Sequence, residues 1–308
     1  MEFEHVLLLT TSFLGIGLNV FFQKIFIKRK KFDSIKQRSS HNTLATKTGG
    51  IALFSSVFLI SLYFYFTNNE IFDFTLLIPL SIIFIIGVYD DFYEADFKLK
   101  FFIQIIVAKL LIDNGFIINN YYGLFGLNDI PHLLAQISTV FVFLVIVNAI
   151  NFIDGIDGLA ISFAIFALFC FDYFNKSDNL TNLNLICIGS MIPLYYFNFK
   201  KEKKIFLGDA GSLFLGSLLA LNTFHFLDPE QLIYLEVNRA LLAVSILTYP
   251  LIDLLRVFIL RIRQKKSPFF ADQNHLHHIL LRNLYKHFYV TLFIILVNLL
   301  ILNLIIFI

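Results

Sequence analysis

Apolar runs of about twenty residues recur along the whole chain, and a helix needs about twenty such residues to cross the hydrocarbon of a bilayer. The runs are continuous and do not alternate, which favours membrane helices over barrel strands. They predict an all-α, polytopic transmembrane helical bundle of about ten helices, forming one domain over 1–308. The predicted spans are 4–27, 49–66, 74–90, 99–118, 132–150, 158–174, 183–198, 206–226, 237–259 and 287–308.

The composition excludes an ordinary soluble domain. Hydrophobic residues make up 58% of the chain and charged residues 15%, with a mean hydropathy of +0.77. Soluble domains are roughly half apolar and about a quarter charged. A bilayer can cover the additional apolar surface, so membrane lipid is an expected partner. The formal net charge is only +2, so the composition indicates no attraction to a polyanion and no nucleic-acid partner.

Lysine and arginine are distributed unevenly between the predicted connections. The connections after the first, third, seventh and ninth spans are basic, while the opposite connections contain only Lys176 and Arg239. Basic connections lie on the cytoplasmic side of a membrane. The pattern therefore predicts a multi-pass protein of the bacterial inner membrane with both termini on the periplasmic or extracellular side.

The polar residues that suggest chemistry all fall at the predicted cytoplasmic boundary. Ionisable groups are costly within membrane helices and are usually functional, and accidental ones would not all lie on one side. The distribution predicts an active site on the cytoplasmic face. The residues are Asp90, Asp91, Asn148, Asn151, Asp154, Asp157, Asp209, Asp253, His275, His277 and His278.

The first motif is a pair of adjacent carboxylates, Asp90 and Asp91, at the end of the third predicted span. Two adjacent carboxylates repel each other unless a cation or a basic side chain relieves the repulsion. Lys98 and Lys100 are such basic partners in the sequence. The alternative interpretation is a solvated helix end.

The second motif contains Asn148, Asn151, Asp154 and Asp157. One Asn and two Asp at a spacing of three residues, Asn151, Asp154 and Asp157, lie on one face if the backbone is helical. Carboxylate and amide oxygens suit a hard cation such as Mg²⁺. The alternative is a polar turn between two helices, which four oxygen-bearing side chains on so apolar a background make the weaker interpretation.

Two further motifs follow. Residues 208–212 are Gly-Asp-Ala-Gly-Ser at a predicted helix start, where backbone N–H groups can hold phosphate while Asp209 holds a metal; the alternative is an N-cap formed by Asp209. Residues 275–278 are His-Leu-His-His in the last basic connection. We interpret these histidines as contacts to phosphate or nucleotide; a Zn²⁺ site or a solvated loop is the alternative.

In this order, the motifs resemble those of the polyprenyl-phosphate N-acetylhexosamine-1-phosphate transferases, the membrane family of glycosyltransferase type 4. That family initiates enterobacterial common antigen, lipopolysaccharide O-antigen and teichoic acid linkage units. The resemblance extends from about His41 to His278. The His-Leu-His-His form, preceded by Ser267-Pro268-Phe269 and Asp272, is similar to the N-acetylglucosamine-1-phosphate branch; the muramoyl-pentapeptide branch typically has three consecutive histidines.

The resemblance implies transfer of an N-acetylhexosamine 1-phosphate from a UDP-sugar to undecaprenyl phosphate, with Mg²⁺ (or Mn²⁺) as cofactor and UMP as product. It leaves a homodimer open. It implies a role for each matching residue. Asn151 and Asp209 would bind the metal. Asp90, Asp91 and Lys100 would be catalytic. The substrate-binding residues would be Lys47, Lys98, Asp154, Asp157, His275, His277 and His278.

One departure from the family pattern lies in the first basic connection, where Thr46 and Lys47 stand at the positions usually held by proline and arginine. Lysine offers phosphate a point charge but not a bidentate fork. The competing functions are a muramoyl-pentapeptide-type transferase, a lipid or sugar transporter, and a membrane scaffold or receptor. A transporter site is expected near the bilayer midplane, whereas these acids gather at one face.

Overall fold

The computed structural model describes residues 2–32, 45–175, 180–231, 237–267 and 274–307. Twelve α-helices and two short strands make up these parts of the chain. The helices are α1 (Glu2–Lys28), α2 (Gly49–Phe66), α3 (Leu77–Tyr93), α4 (Phe97–Asp113), α5 (His132–Ile153), α6 (Leu159–Phe174), α7 (Thr181–Phe199), α8 (Gly208–Phe226), α9 (Arg239–Ile246), α10 (Thr248–Arg263), α11 (Leu276–Leu284) and α12 (His287–Ile306), and the strands are β1 (Ala45–Thr46) and β2 (Lys204–Ile205).

Each predicted span overlaps a helix, although the fourth, 99–118, extends beyond the end of α4 at Asp113. Two further differences stand out. The ninth span is broken into α9 and α10, which meet at an angle of 75°. The histidine motif, predicted to lie in a connection, is on the short helix α11. Within the described ranges, five helical segments are long and apolar enough to cross a membrane, and the bent pair would be a sixth. The described chain is that of a helical membrane protein, while ten spans and external termini stay predictions.

Asn298 of α12 forms hydrogen bonds with the backbone on both sides of the break between α9 and α10. Its Oδ1 accepts from Tyr249 N at 2.9 Å, and its Nδ2 donates to Ser245 O at 3.2 Å and Ile246 O at 3.0 Å. A broken helix leaves backbone donors and acceptors without partners, which is costly in an apolar medium. One buried carboxamide satisfies groups on both sides of this break.

Helix α8 is the centre of the bundle, because all its residues except Asp209 are buried. Its neighbours include α2, α3 and α5. The contact with each of them is close because one of the two helices has a glycine there: Gly50 on α2, Gly87 on α3 and Gly216 on α8 itself, facing α5. The closest approach is at Gly50, where a Cβ would lie 2.2 Å from Gly211 N. Small residues let membrane helices pack backbone to backbone, and here they bring several helix ends together at the start of α8.

We expect Gly50→Ala to destabilise the fold strongly, since its Cβ would meet Gly211 backbone atoms that cannot move independently. Overpacking of this kind costs about 1–3 kcal/mol and would show as a lower melting temperature in detergent. Gly17→Ala is the matched control, because Gly17 is also helical and nothing lies within 4 Å of an added Cβ. Equal melting temperatures for the two variants would contradict the close packing of α2 on α8.

The parallel strand pair aligns the segments that enter α2 and α8. Ala45 pairs with Lys204 and Thr46 with Ile205. The ladder continues into the helix starts through Gly49 N, which donates to Phe206 O at 2.9 Å, and Gly50 N, which donates to Leu207 O at 2.8 Å. This pairing holds Lys47 next to the N-terminus of α8.

Candidate active site

Asp91 from the last turn of α3 caps the N-terminus of α8. Its Oδ1 accepts from Asp209 N and its Oδ2 from Ala210 N, both at 3.0 Å. Gly208 has a φ of 74° and a Cβ there would lie 2.6 Å from Asp91 Oδ2, so only glycine fits. The alternative interpretation of this helix start is wrong, because Asp209 is not the N-cap. The N–H groups of Asp209 and Ala210 donate to Asp91, and metal binding by Asp209 stays a prediction.

The adjacent carboxylates have separate basic partners. Asp90 Oδ2 lies 2.7 Å from Lys100 Nζ, and Asp90 Oδ1 accepts from Ala95 N at 2.7 Å. Asp91 Oδ1 lies 3.4 Å from Lys47 Nζ. Lys100 and Lys47 are therefore the basic side chains that relieve the repulsion between the two carboxylates. Lys98 has an exposed side chain at the start of α4 and forms no ion pair within the described ranges.

Asn151 joins α5 to the start of α8. Its Nδ2 donates to Asp209 Oδ1 at 2.5 Å and to Ser212 Oγ at 2.8 Å. The two residues that the sequence assigns to the metal are therefore in direct contact. Ser212 belongs to the Gly-Asp-Ala-Gly-Ser motif, but sequence reasoning gave it no role; its position one helical turn after Asp209 is the pattern that could have found it.

The condition for Asn151, Asp154 and Asp157 to line one helical face is not met, because the helix ends before the two acids. Asn148 turns towards α4, where its Nδ2 donates to Gln104 Oε1 at 2.8 Å. Helix α5 ends at Ile153, so Asp154 is its C-cap and Asp157 lies in the turn that follows. Only Asn151 and Asp154 remain near the start of α8.

Asp154 and Asp157 have opposite electrostatic environments. Burial raises the pKa of Asp154 well above its usual range, and the charges of Asp209 and Asp91 raise it further. Burial also opposes ionisation of Asp157, but hydrogen bonds from His287 and Lys204 outweigh it and hold the pKa of Asp157 below its usual range. Asp154 therefore carries a proton more readily than a free carboxyl, whereas Asp157 favours the ionised form.

The partners of Asp157 indicate that it organises the turn. Lys204 Nζ lies 2.6 Å from Asp157 Oδ2 and His287 Nδ1 lies 2.7 Å from the same oxygen. Gly158 N donates to Asn198 Oδ1 at 2.6 Å. These contacts tie the turn to β2, α12 and α7. Sequence reasoning missed Asn198, Lys204 and His287, which lie far from the turn in the chain and outside the motifs.

The histidines lie over the same turn. Had Gly155 a Cβ, it would lie 2.5 Å from His277 Nε2 and 3.2 Å from His278 Nε2. Burial lowers the pKa of His277 well below its usual range and that of His278 to about 4, and the neighbouring imidazoles add to both shifts. Both rings are therefore neutral at pH 7, and they can act as hydrogen-bonding groups. His277 Nε2 is buried and has no hydrogen-bond partner among the described residues.

His275 differs from the other two because it is held by α10. Its Nδ1 lies 2.6 Å from Oδ2 of Asp253, whose side chain is fully buried. Asp253 Oδ1 accepts from Leu276 N at 2.7 Å, so one carboxylate fixes both a ring and the start of α11. Arg261 Nη2 lies 3.4 Å from His275 Nε2. The sequence placed Asp253 at the boundary but gave it and Arg261 no role.

The residues at the start of α8 fit a magnesium ion. In the described parts of the chain, no group of three or more His, Cys, Asp and Glu side chains is arranged to hold a metal. Mg²⁺ needs no such group, because one or two carboxylates together with substrate phosphates and water commonly hold it. Asp209 and Asn151 offer one carboxylate and one amide oxygen, and the neighbouring acids Asp91 and Asp154 add negative charge.

The structure brings together Lys47, Asp90, Asp91, Lys100, Asn151, Asp154 and Asp209 around the ends of α3 and α5 and the start of α8, with His277 and His278 over the adjoining turn. His275 and Asp157 support this arrangement, and Lys98 stands apart from it. His41, Pro268, Phe269 and Asp272, which also carried the sequence resemblance, lie outside the described residues.

Comparison with known proteins identifies the family. The model of glycosyl transferase family 4 matches residues 73–226, which is half of the chain. An undecaprenyl-phosphate alpha-N-acetylglucosaminyl 1-phosphate transferase of Pasteurella multocida is 32% identical over 297 residues, covering 90% of this chain and 79% of the relative. A decaprenyl-phosphate N-acetylglucosaminephosphotransferase of Mycobacterium leprae is 30% identical, covering 82% and 70%. The chain belongs to glycosyl transferase family 4.

Proposed function

We propose that the protein transfers N-acetylglucosamine 1-phosphate from UDP-N-acetylglucosamine to undecaprenyl phosphate and releases UMP. The product is the first lipid-linked sugar of a cell-envelope polysaccharide. The names of its relatives support this reaction, because they describe N-acetylglucosaminyl 1-phosphate transfer to undecaprenyl or decaprenyl phosphate. The observation that carries the proposal is the meeting of Asp91, Asn151 and Asp209 at the start of α8.

The chemistry explains why the site needs cations and acids together. An oxygen of the lipid phosphate attacks the β-phosphorus of the donor, and the bond between that phosphorus and the bridging oxygen breaks. The bridging oxygen leaves with UMP, and a new diphosphate joins the sugar to the lipid. Two anionic groups must approach each other, so positioning and charge neutralisation dominate the catalysis.

Each proposed role follows from the contacts. Mg²⁺ would be held by Asp209 and Asn151, where it would neutralise the donor diphosphate. The Asn151 amide, which now donates to Asp209, would turn to present its oxygen. Lys47 and Lys100 would hold phosphates and keep Asp91 and Asp90 in place.

The remaining residues would form the donor side of the site. Asp154 would contact the nucleotide, with Asp157 fixing the turn that carries it. His277 and His278 would contact the donor as neutral hydrogen-bonding groups, and His275 would position them. We assign no substrate contact to Lys98.

The proposed location is the cytoplasmic face of the bacterial inner membrane. The basic connections support it, and a soluble nucleotide donor and a lipid acceptor can meet only at such a boundary. We propose one transferase domain over 1–308 with ten membrane crossings and both termini outside, and we leave the homodimer to experiment.

The experiment that tests the function uses purified protein in detergent, undecaprenyl phosphate and a panel of UDP-N-acetylhexosamines, with UMP release as readout. We expect UMP from UDP-N-acetylglucosamine only when both the lipid and Mg²⁺ are present, and none after chelation by EDTA. UMP from UDP-N-acetylmuramoyl-pentapeptide alone would support the other branch of the family. Folded protein that releases no UMP from any donor would contradict the proposal.

A further inference from the structure

Helix α4 brings Lys100 to the candidate active site from the periphery of the bundle. The helix packs against α3 and α5, and its outer side is exposed at Phe102 and Ile105. Apolar packing is not directional, so it does not fix how far α4 slides along its neighbours. The polar contacts of α4 therefore decide where Lys100 lies relative to the acids of the site.

Two polar side chains on the inner side of α4 lie about one helical turn apart. Lys100 contacts Asp90 of α3 at 2.7 Å. Gln104 is 1% exposed, and its Oε1 accepts from Asn148 Nδ2 of α5 at 2.8 Å. Asn148 lies about one turn before Asn151, which we propose as a metal ligand. The contact between Gln104 and Asn148 thus links the helix that carries Lys100 to the helix that carries Asn151.

This contact completes a closed ring of polar links around the site. The ring runs from α3 to α4, from α4 to α5, from α5 to α8 and from α8 back to α3. Its links, in that order, are Asp90 with Lys100, Gln104 with Asn148, Asn151 with Asp209, and the backbone N–H of Asp209 with Asp91. The proposed function gives a role to the residues of the other three links, but not to Gln104 or Asn148.

The burial of Gln104 indicates a reason other than stability. A carboxamide is costly to bury in an apolar layer unless its groups are paired, and Gln104 Nε2 has no hydrogen-bond partner in the described parts of the chain. Side-chain hydrogen bonds between membrane helices contribute little to stability. An apolar residue here would avoid the cost, whereas a buried polar pair fixes the register of two helices.

We infer that the contact between Gln104 and Asn148 fixes the register of α4 on α5 and thereby sets the distance between Lys100 and the metal ligands. Gln104 is a positioning residue, because it acts on the reacting groups through Asn148 and through its own helix. This role rests on the proposed function, in which Lys100 holds a phosphate while Asn151 and Asp209 hold Mg²⁺. Both groups must act on the same reacting phosphates, and small displacements of such groups cause large losses of rate.

The test compares variants of the purified full-length protein. Gln104→Met keeps an unbranched side chain of similar length and removes the carboxamide. Asn148→Leu does the same for the partner, and the double variant removes both, which is nearly neutral for stability when apolar groups of the same shape replace a pair. Gln136→Met is the matched control, because Gln136 is a glutamine at the other end of α5 from Asn151.

Three measurements separate positioning from stability. The first is the melting temperature in detergent. The second is the kinetics of UMP release, with kcat expressed per donor-binding site and the sites counted by equilibrium binding of UDP-N-acetylglucosamine. The third is the distribution of distances between spin labels on Phe102→Cys of α4 and Phe141→Cys of α5, two exposed positions; the native cysteines Cys170 and Cys187 are buried.

We expect Gln104→Met to lower kcat per site by at least about tenfold and to broaden the distribution of label distances. Both KM values and the melting temperature should stay close to those of wild type. The double variant should be no slower than Gln104→Met, because residues that act as one unit are not additive. Gln136→Met should match wild type in every measurement.

Three results would overturn the inference. The first is an unchanged kcat per site and an unchanged label distribution in Gln104→Met. The second is a loss of melting temperature and of donor-binding sites with kcat per site unchanged, which would show a structural role only. The third is additive losses in the double variant. Wild-type protein that releases no UMP, with label distributions that change as expected, would contradict the proposed reaction alone.

Discussion

Replacing Asp209 by Asn should abolish most of the activity without weakening the fold. The substitution keeps the size of the side chain and removes the carboxylate to which the Asn151 amide donates. Electrostatic groups that act directly on a reacting phosphate commonly contribute a hundredfold or more, so we expect kcat to fall by at least about a hundredfold. The Mg²⁺ concentration needed for half-maximal activity should rise, which a titration of UMP release against Mg²⁺ measures.

The same variant should be as stable as wild type, or more stable. The backbone N–H of residue 209 still donates to Asp91. Removing the negative charge of Asp209 relieves its repulsion with Asp91 and Asp154. Asp113→Asn is the matched control, because Asp113 is an exposed acid at the opposite end of α4 from Lys100. A folded Asp209→Asn protein with wild-type activity and Mg²⁺ dependence would contradict the metal assignment.

Replacing Asp253 by Asn should reduce activity through the histidine helix, although Asp253 does not lie at the reacting groups. Asn can still accept from Leu276 N, but it cannot provide the carboxylate that His275 Nδ1 contacts at 2.6 Å. Supporting residues of this kind typically contribute about tenfold to a hundredfold. Since α11 carries His277 and His278 over the donor side, we expect a lower kcat and a higher donor KM, with acceptor KM unchanged.

The split between the two KM values separates positioning from general destabilisation. Loss of a buried charge-assisted hydrogen bond costs about 2 kcal/mol of stability, so the melting temperature should fall as well. A merely destabilised protein would lose active molecules and keep both KM values. Asp113→Asn again serves as the control with the same chemical change. An Asp253→Asn protein whose donor KM equals that of wild type would contradict the positioning role.

The helices were predictable because continuous apolar runs have few alternatives to membrane helices. The break in the ninth span is less evident in the sequence. Pro250 lies in the first turn of α10, where its missing N–H breaks no hydrogen bond within the helix, but the residues around it are apolar enough to conceal the break. Helix α11 was missed because its nine residues are too few for a membrane span. The helical spacing of Leu276, Leu280 and Leu284 is the pattern that could have found it.

The members of the candidate site were predictable from their residue types, but their contacts were not. Asp91 caps a helix that begins 117 residues later, and no local pattern predicts such a pairing. The spacing of Asn151, Asp154 and Asp157 suggested one face of a helix, yet the helix ends at Ile153 and the contacts of Asp157 with Lys204 and His287 turn it elsewhere. Residue types and motif order therefore suggested which groups could act together, and packing around α8 decided which of them meet.

The central claim is that the sugar leaves the donor together with its phosphate, and the location of a label tests it directly. UDP-N-acetylglucosamine labelled with ³²P at the β-phosphorus is incubated with the protein, undecaprenyl phosphate and Mg²⁺, and the lipid and aqueous fractions are counted. We predict that the label moves into the lipid fraction, matched by an equal amount of unlabelled UMP. Label that stays in water as UDP, with sugar alone on the lipid, would contradict the account.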